Sequence, residues 1–266
     1  MSRIAADRGA APARTAGTPR REVLAGALAL GAAAAGFAWL SRGGAGFGAP
    51  GFEPVPGVPG LRRIAGQARI TGLPAATIGL GGTAPASPPG LREATRAALV
   101  ADPLGTIHGA SPQGTAGGVP ATYFTAGGCP LCPVLSGLLA GLGVIPAHRP
   151  LGLFGPASVR AARAIEAAGR LEGASAAGRL HDRLVGTPFE TGDAYIAAVA
   201  AEEGLDVEQL LPAMDAPETD AALALNHALA SALALPGTPA IVLGSTLAIG
   251  LPSRGTLREI LAAEAA

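Results

Sequence analysis

Apolar positions along this chain follow two different periods, and the order in which those periods alternate predicts an architecture. Thr122-Tyr123-Phe124-Thr125 has the β-branched and aromatic character of a strand, and Ala126-Gly127-Gly128 then leaves the backbone free to turn. Past the turn, Leu135, Leu138, Leu139 and Leu142 recur on one helical face, which ends near Gly143 and Pro146. Two helical runs follow, Ala157 to Leu171 and Ala174 to Val185, separated by Gly173. Thr191 or Asp193 starts another, with Tyr195, Ile196 and Val199 inward. Asp206-Val207-Glu208-Gln209 has the spacing of a capping box opening a short helix through Leu211. Pro217, with Glu218 and Asp220 behind it at the positive end of the dipole, opens a helix that runs to Pro236-Gly237. Ala240 to Leu243 and Thr246 to Ile249 read as two strands joined at Gly244-Ser245, and a last helix spans about Ser253 to Ala263. The sequence therefore predicts strand, helix, helical block, hairpin and helix. The helical block has the character of an insertion between two β segments.

Upstream the signals are of another kind. Residues 1–19 have no periodicity and read as disordered. Arg20-Arg21 then precedes an uncharged stretch of 18 residues from Val23 to Leu40. That pairing resembles a twin-arginine export signal, although Pro19 stands where Ser or Thr is common and Pro50 spoils the cut after Ala49. A helix of this length lies at the lower edge of what spans a hydrocarbon core of about 30 Å. An N-terminal membrane anchor at residues 23–40 is thus the alternative to a cleaved signal, and the arginines ahead of it orient the N-terminus to the cytoplasm. Ser41 to Gly60 reads as a linker. Arg62 to Thr71 and Ala75 to Leu80 are expected as short strands, Leu91 to Val100 as a helix and Gly105 to Gly118 as a loop. Residues 1–45 form the signal or anchor, 46–118 a linker and N-terminal extension, and 119–265 the main domain, with its helical insertion at about 150–235.

Composition alters this picture little. All 19 basic residues are arginine and 19 acids balance them, so no basic face points to nucleic acid. Aromatics are 3% of the 266 residues, which leaves Leu, Ile, Val and Ala to build the core and favours closely packed helices.

Candidate chemistry concentrates at Cys129-Pro130-Leu131-Cys132, the only cysteines in the chain. This spacing suits a disulfide that opens and reforms by thiolate attack. Cys129 is expected to cap a new helix, with Pro130 at its first position, where a missing N–H costs nothing. Free amides and the helix dipole would then hold the Cys129 thiol below its ordinary value of about 8.5. Cys129 would be the exposed nucleophile and Cys132, one turn further in, the resolving thiol. Pro133 is unexpected inside such a helix. A zinc site needs two more ligands, and His108, His148, His181 and His227 are scattered without a pairing motif, so no metal site is expected. His181-Asp182 reads as a polar surface or a capped core histidine. A copper carrier needs just two thiolates, and it stays open beside a purely structural disulfide and a peptide-holding chaperone.

Taken together, these stretches resemble the DsbA family of bacterial thiol:disulfide oxidoreductases. Tyr123-Phe124-Thr125 runs into Cys129-Pro130-Leu131-Cys132 as the family's strand runs into its active-site helix. Ser158 to Ala164 and Leu180 to Leu184 are similar to its inserted helices, and Gly237-Thr238-Pro239-Ala240 is similar to its G-T-P loop. The resemblance covers roughly Ala121 to Leu261. It implies an α/β thioredoxin-like fold interrupted by an all-helical domain, and an exported, periplasmic enzyme with no cofactor beyond its redox-active disulfide. The implied partners are exported proteins with free thiols or disulfides, together with a membrane or periplasmic redox partner. It further implies that Pro239 is cis and that the backbone of Thr238 offers an edge to an extended substrate peptide. Two departures stand out. Leu131 occupies the position of a histidine in the strongly oxidising members, which implies a milder oxidant. Ala126-Gly127-Gly128 replaces bulkier residues, which implies a wider site.

Overall fold

The computed structural model of the chain describes residues 51–65, 88, 90–109, 113–186 and 192–266. The export signal or anchor of residues 1–45 and the strand expected at Ala75 to Leu80 lie outside these residues. Among the described residues no helix is long and apolar enough to cross a membrane.

One mixed sheet organises the molecule. Its strands are β1 (Phe52–Pro54), β2 (Arg62–Ile64), β3 (Ala121–Thr125), β4 (Ala147–Pro150), β5 (Ala240–Leu243) and β6 (Thr246–Ile249), in the spatial order β1-β2-β6-β5-β3-β4. β3 lies at the heart of it, parallel to β4 and antiparallel to β5, and every residue of β3 is buried. The β5–β6 hairpin turns at Gly244-Ser245 as its sequence predicts, and β2 adds to β6 in parallel.

The helices are α1 (Leu91–Ala101), α2 (Pro103–His108), α3 (Cys132–Ala140), α4 (Pro156–Glu172), α5 (Ala174–Val185), α6 (Asp193–Glu202), α7 (Val207–Met214), α8 (Pro217–Ala232) and α9 (Arg254–Glu264). Helices α4 to α8 form the insertion between β4 and β5. Its own core is built on small residues, among them Ala161, Ala164, Ala168, Ala176 and Ala177 around Ile165, Leu180, Leu184 and Ile196. That packing matches an aromatic-poor composition. The larger core gathers both faces of the sheet with Leu135, Leu139, Leu229, Leu257 and Ile260, and it includes both cysteines.

Local chemistry explains the helix ends. Asp206 caps α7 by accepting from the Gln209 amide, and the Gln209 side-chain amide donates to the same carboxylate; the reciprocal bond of a capping box is not made, because the Asp206 N–H donates to Glu172 instead. Ser253 caps α9 on the Thr256 amide. Pro156 and Pro217 sit in the first turns of α4 and α8, where no N–H is needed.

Four expectations are corrected. Residues expected as a linker contain β1, whose Pro54 is tolerated because an edge strand can spare an N–H. The strand expected from Arg62 to Thr71 ends at Ile64 among the described residues. The loop expected from Gly105 begins instead inside α2, which Asp102 caps through the Gly105 amide with Pro103 behind it. Finally, β4 was not expected, because Ala-His-Arg-Pro has no strand-like character. It is held by pairing along β3, from Thr122 opposite Ala147 to Thr125 opposite Pro150.

Candidate active site

β3 ends at Thr125, and the chain turns through Ala126, Gly127 and Gly128 to Cys129, whose amide donates back to the Ala126 carbonyl at 3.2 Å. Cys129 and Cys132 form a disulfide with Cα atoms 5.5 Å apart, inside the ordinary range for such bridges. The expected helix start is two residues early. α3 begins at Cys132 with Leu131 as its cap, and residues 129–131 form a turn closed by the Cys132 amide on the Cys129 carbonyl at 3.3 Å. Pro133 explains this. Placed in the first helical turn its missing N–H costs nothing, whereas a helix opened at Pro130 would put it where a bond back to Cys129 is due. The proline that looked misplaced is the one that starts the helix. The dipole's positive end therefore falls at Leu131 to Val134, with Cys129 just outside it.

Both cysteines are sealed. Cys129 is 1% exposed and Cys132 0%, so the expectation of an exposed Cys129 is corrected for the oxidised chain. Pro130 is exposed and Leu131 half-buried, so these two present the surface of the turn. Nor do the two glycines widen the site. A Cβ on Gly127 would lie 3.0 Å from that of Ala161, with the Cα of Ser158 at 3.5 Å, because the first turns of α4 press on it. Gly128 adopts φ +83°, and a Cβ there would lie 3.3 Å from that of Phe154. The space that bulkier residues would fill is taken by α4 and by Phe154.

Thr238-Pro239 is a cis peptide bond, as the G-T-P resemblance implies. Pairing of Phe124 with Ala240 carries it to the end of the sheet from which the Cys129 turn departs, and the Gly250 amide donates to the Pro239 carbonyl at 2.8 Å. Thr238 is only 4% exposed, and its hydroxyl is buried without a hydrogen-bond partner. The edge expected to receive substrate is thus closed in this state of the molecule.

Beneath the disulfide lies a polar column that spacing along the chain does not reveal. The Tyr123 hydroxyl donates to the Cys132 carbonyl at 2.9 Å, holding the first turn of α3 on β3. Its ring packs against His148 and His181, whose own rings are 4.4 Å apart. His181 is fully buried. Its Nδ1 lies 2.9 Å from the Asp182 carboxylate and its Nε2 2.7 Å from the Thr125 hydroxyl, so both ring nitrogens are hydrogen-bonded. Burial, aided by neighbouring His181, pushes the His148 imidazole well below its ordinary value, so it is neutral. Burial raises the Tyr123 phenol, with the Thr125 and Ser136 hydroxyls acting the other way. The phenol nevertheless donates to Cys132, and Ser136 Oγ is left without a bond of good geometry. Two of the scattered histidines are therefore neighbours. Among the described residues no group of three or more His, Cys, Asp or Glu is placed to hold a metal ion.

Residues 142–262 match the family model of the DSBA-like thioredoxin domain. This chain carries a DSBA-like thioredoxin domain. The match begins beyond Cys132 and spans the helical insertion, the G-T-P loop and the hairpin, and the structure joins the C-x-x-C disulfide to it. The domain is that of a DsbA-like thiol-disulfide oxidoreductase. Among solved structures, the fold is similar to the thiol-disulfide exchange protein alpha-DsbA2 from Wolbachia pipientis, at 19% identity and TM-score 0.55, covering 66% of this chain and 99% of that one. A thioredoxin-like oxidoreductase from Silicibacter pomeroyi DSS-3 matches at 28% identity and TM-score 0.51, covering 60% and 95%. A periplasmic thioredoxin-like protein from Salmonella enterica serovar Typhimurium matches at 22% identity and TM-score 0.51, covering 60% and 94%. No curated protein matches the chain by sequence.

Proposed function

We propose that this chain is exported and exchanges disulfides with cysteines of other periplasmic proteins through Cys129 and Cys132. The observation that carries this reading is the Cys129–Cys132 disulfide, set between the end of β3 and the start of α3, at the same end of the sheet as cis Pro239. In the oxidising direction a substrate thiolate attacks the Cys129 sulfur, a mixed disulfide forms, and the electron pair of the broken bond goes to Cys132. A second substrate thiolate then attacks the substrate sulfur and releases the reduced enzyme. In reverse, Cys129 attacks a substrate disulfide and Cys132 resolves the mixed species. Pro130 and Leu131 present the accessible face of the turn. Thr238 and Pro239 supply the substrate edge, which is buried in this state and must become accessible for a peptide to pair with it.

The periplasmic assignment is supported by the twin arginine ahead of Val23 to Leu40 and by the Salmonella protein of the same fold. The test is transfer. The oxidised chain, mixed with a reduced, unfolded protein holding two cysteines, becomes reduced as that protein gains its disulfide, both followed by mass after alkylation. A chain that stays oxidised in the presence of such a dithiol protein, while free dithiothreitol reduces it, refutes the reading.

A further inference from the structure

Attack on the disulfide requires movement, because Cys129 is sealed in the oxidised chain. Of the four residues that precede it, three are held by the insertion or by the loop that leads into it. Ser158 and Ala161 of α4 close on Gly127, Phe154 of the β4–α4 loop closes on Gly128, and His181 of α5 bonds the Thr125 hydroxyl at 2.7 Å.

The division of the apolar cores shows which part can move. Helices α4 to α7 pack a core of their own, and of their buried apolar residues Val185 is the one that joins the core of the sheet. Where α5 meets the sheet the junction is polar. The His181 ring lies edge-on to Tyr123 at 5.5 Å and 4.4 Å from His148, with its nitrogens on Thr125 and Asp182. Pairing with β4 and β5 fixes β3 from both sides, so the Thr125 bond fastens the insertion to the sheet and not the reverse. On its other side α4 is tied to α8 and the end of α7. Arg170 donates to the Thr219 hydroxyl at 3.0 Å, Arg163 to the Met214 carbonyl at 2.8 Å, and Glu166 accepts from the Asn226 side chain at 3.0 Å. A body held along one side by such a set of bonds pivots there and comes free at the other.

We propose that α4 and α5 form a cover over the turn that carries Cys129 and that the Thr125–His181 hydrogen bond is its catch: when the bond breaks, the two helices rock away from Gly127 and Gly128 and Cys129 comes within reach of an attacking thiolate. His181 is thereby a positioning residue, acting on Cys129 through Thr125 and the turn that follows it. The inference rests on exchange at Cys129. Opening breaks one hydrogen bond, whose groups water can then satisfy, and leaves both apolar cores packed, so it costs far less than unfolding.

The test is the rate at which dithiothreitol reduces the oxidised full chain, which follows the fraction of molecules that are open. Thr125→Val keeps the branched shape of the side chain and removes the hydroxyl. It should speed reduction about fivefold, the factor equivalent to one net hydrogen bond. Thr125→Ser keeps a hydroxyl and should react as the unsubstituted chain does. Asp102→Ala removes the cap of α2, which is bonded near the start of β3 through His108 and Thr122, and should lower the urea midpoint without changing the rate. A measurement without substitution stands beside these. Low urea should raise the reduction rate with a slope well below that of global unfolding, because opening exposes the junction and neither core. Equal rates for Thr125→Val and the unsubstituted chain overturn the proposal. So do a Thr125→Ser variant as fast as Thr125→Val, acceleration by Asp102→Ala, or a urea slope equal to that of unfolding. A chain that meets all these expectations yet exchanges with no protein thiol overturns the proposed function and leaves the cover standing.

Discussion

Gly128 tests whether the turn that delivers Cys129 is held from outside. It takes φ +83°, and an added Cβ would meet the Cβ of Phe154 at 3.3 Å and ring carbons at 3.6 and 3.9 Å. Gly128→Ala therefore incurs two separable costs. The left-handed backbone costs an L-residue about 1–2 kcal/mol, reduced by some 0.4–1 kcal/mol because alanine also restricts the unfolded chain. Crowding against Phe154 is tight rather than a clash, which places it at the low end of overpacking, about 1 kcal/mol. The net is about 2 kcal/mol, or roughly 4–8 °C in Tm for a domain of this size. Gly143 supplies the control, since it has φ +69° and nothing within 4 Å of an added Cβ. Gly143→Ala should show the backbone cost alone. Urea denaturation of the oxidised protein gives both values, and a cycle with Phe154→Ala isolates the contact: the double variant should recover about 1 kcal/mol relative to additivity. The reasoning fails if Gly128→Ala costs no more than Gly143→Ala, or if its cost is unchanged when Phe154 is removed.

Equilibration with glutathione should place the Cys129–Cys132 couple at about −200 mV, because Leu131 supplies no cation; a value at or above about −120 mV, that of the strongest oxidants, contradicts this. His108, His148 and His227 all have their values lowered, in each case chiefly by burial. The folded chain then binds fewer protons than the unfolded one below about pH 6.5, so stability is held above that pH and lost as pH falls through it, at a limit of about 1.4 kcal/mol per pH unit for each histidine. Urea midpoints from pH 8 to 5 should show this fall, and a flat profile refutes it. Tyr123→Phe removes the bond to the Cys132 carbonyl and should cost about 1 kcal/mol in the same assay, whereas a neutral result shows that the bond does not brace α3.

Much of the fold was legible in the sequence for reasons that reside in single residues. Asp206 with Gln209, Pro156, Pro217 and Ser253 place helix starts by chemistry that needs no tertiary partner, and all four sit where their character predicts. The β5–β6 hairpin and cis Pro239 were legible through Gly244-Ser245 and through the G-T-P resemblance. What escaped depends on neighbours distant in sequence. Ala147 to Pro150 is a strand only because β3 lies beside it. Gly127 and Gly128 looked like open space because Ser158, Ala161 and Phe154 are 26 or more residues away. His148 and His181 looked scattered because parallel pairing of β4 and the packing of α5 bring them to Tyr123. Pro133 was a local signal misjudged, and it follows the same first-turn rule as Pro156 and Pro217. α2 had a local signal too: Asp102-Pro103 is a cap and a first-turn proline, overshadowed by the glycines that follow.

The central claim is that Cys129 accepts attack and Cys132 leaves or resolves. Its most direct measurement uses Cys132→Ala, which keeps the first thiol and removes the second. Incubated with proteins bearing disulfides, this variant should accumulate mixed disulfides that a reductant releases, with the linking sulfur mapped to Cys129 by mass. No mixed disulfide under conditions where the unsubstituted chain exchanges would contradict the account.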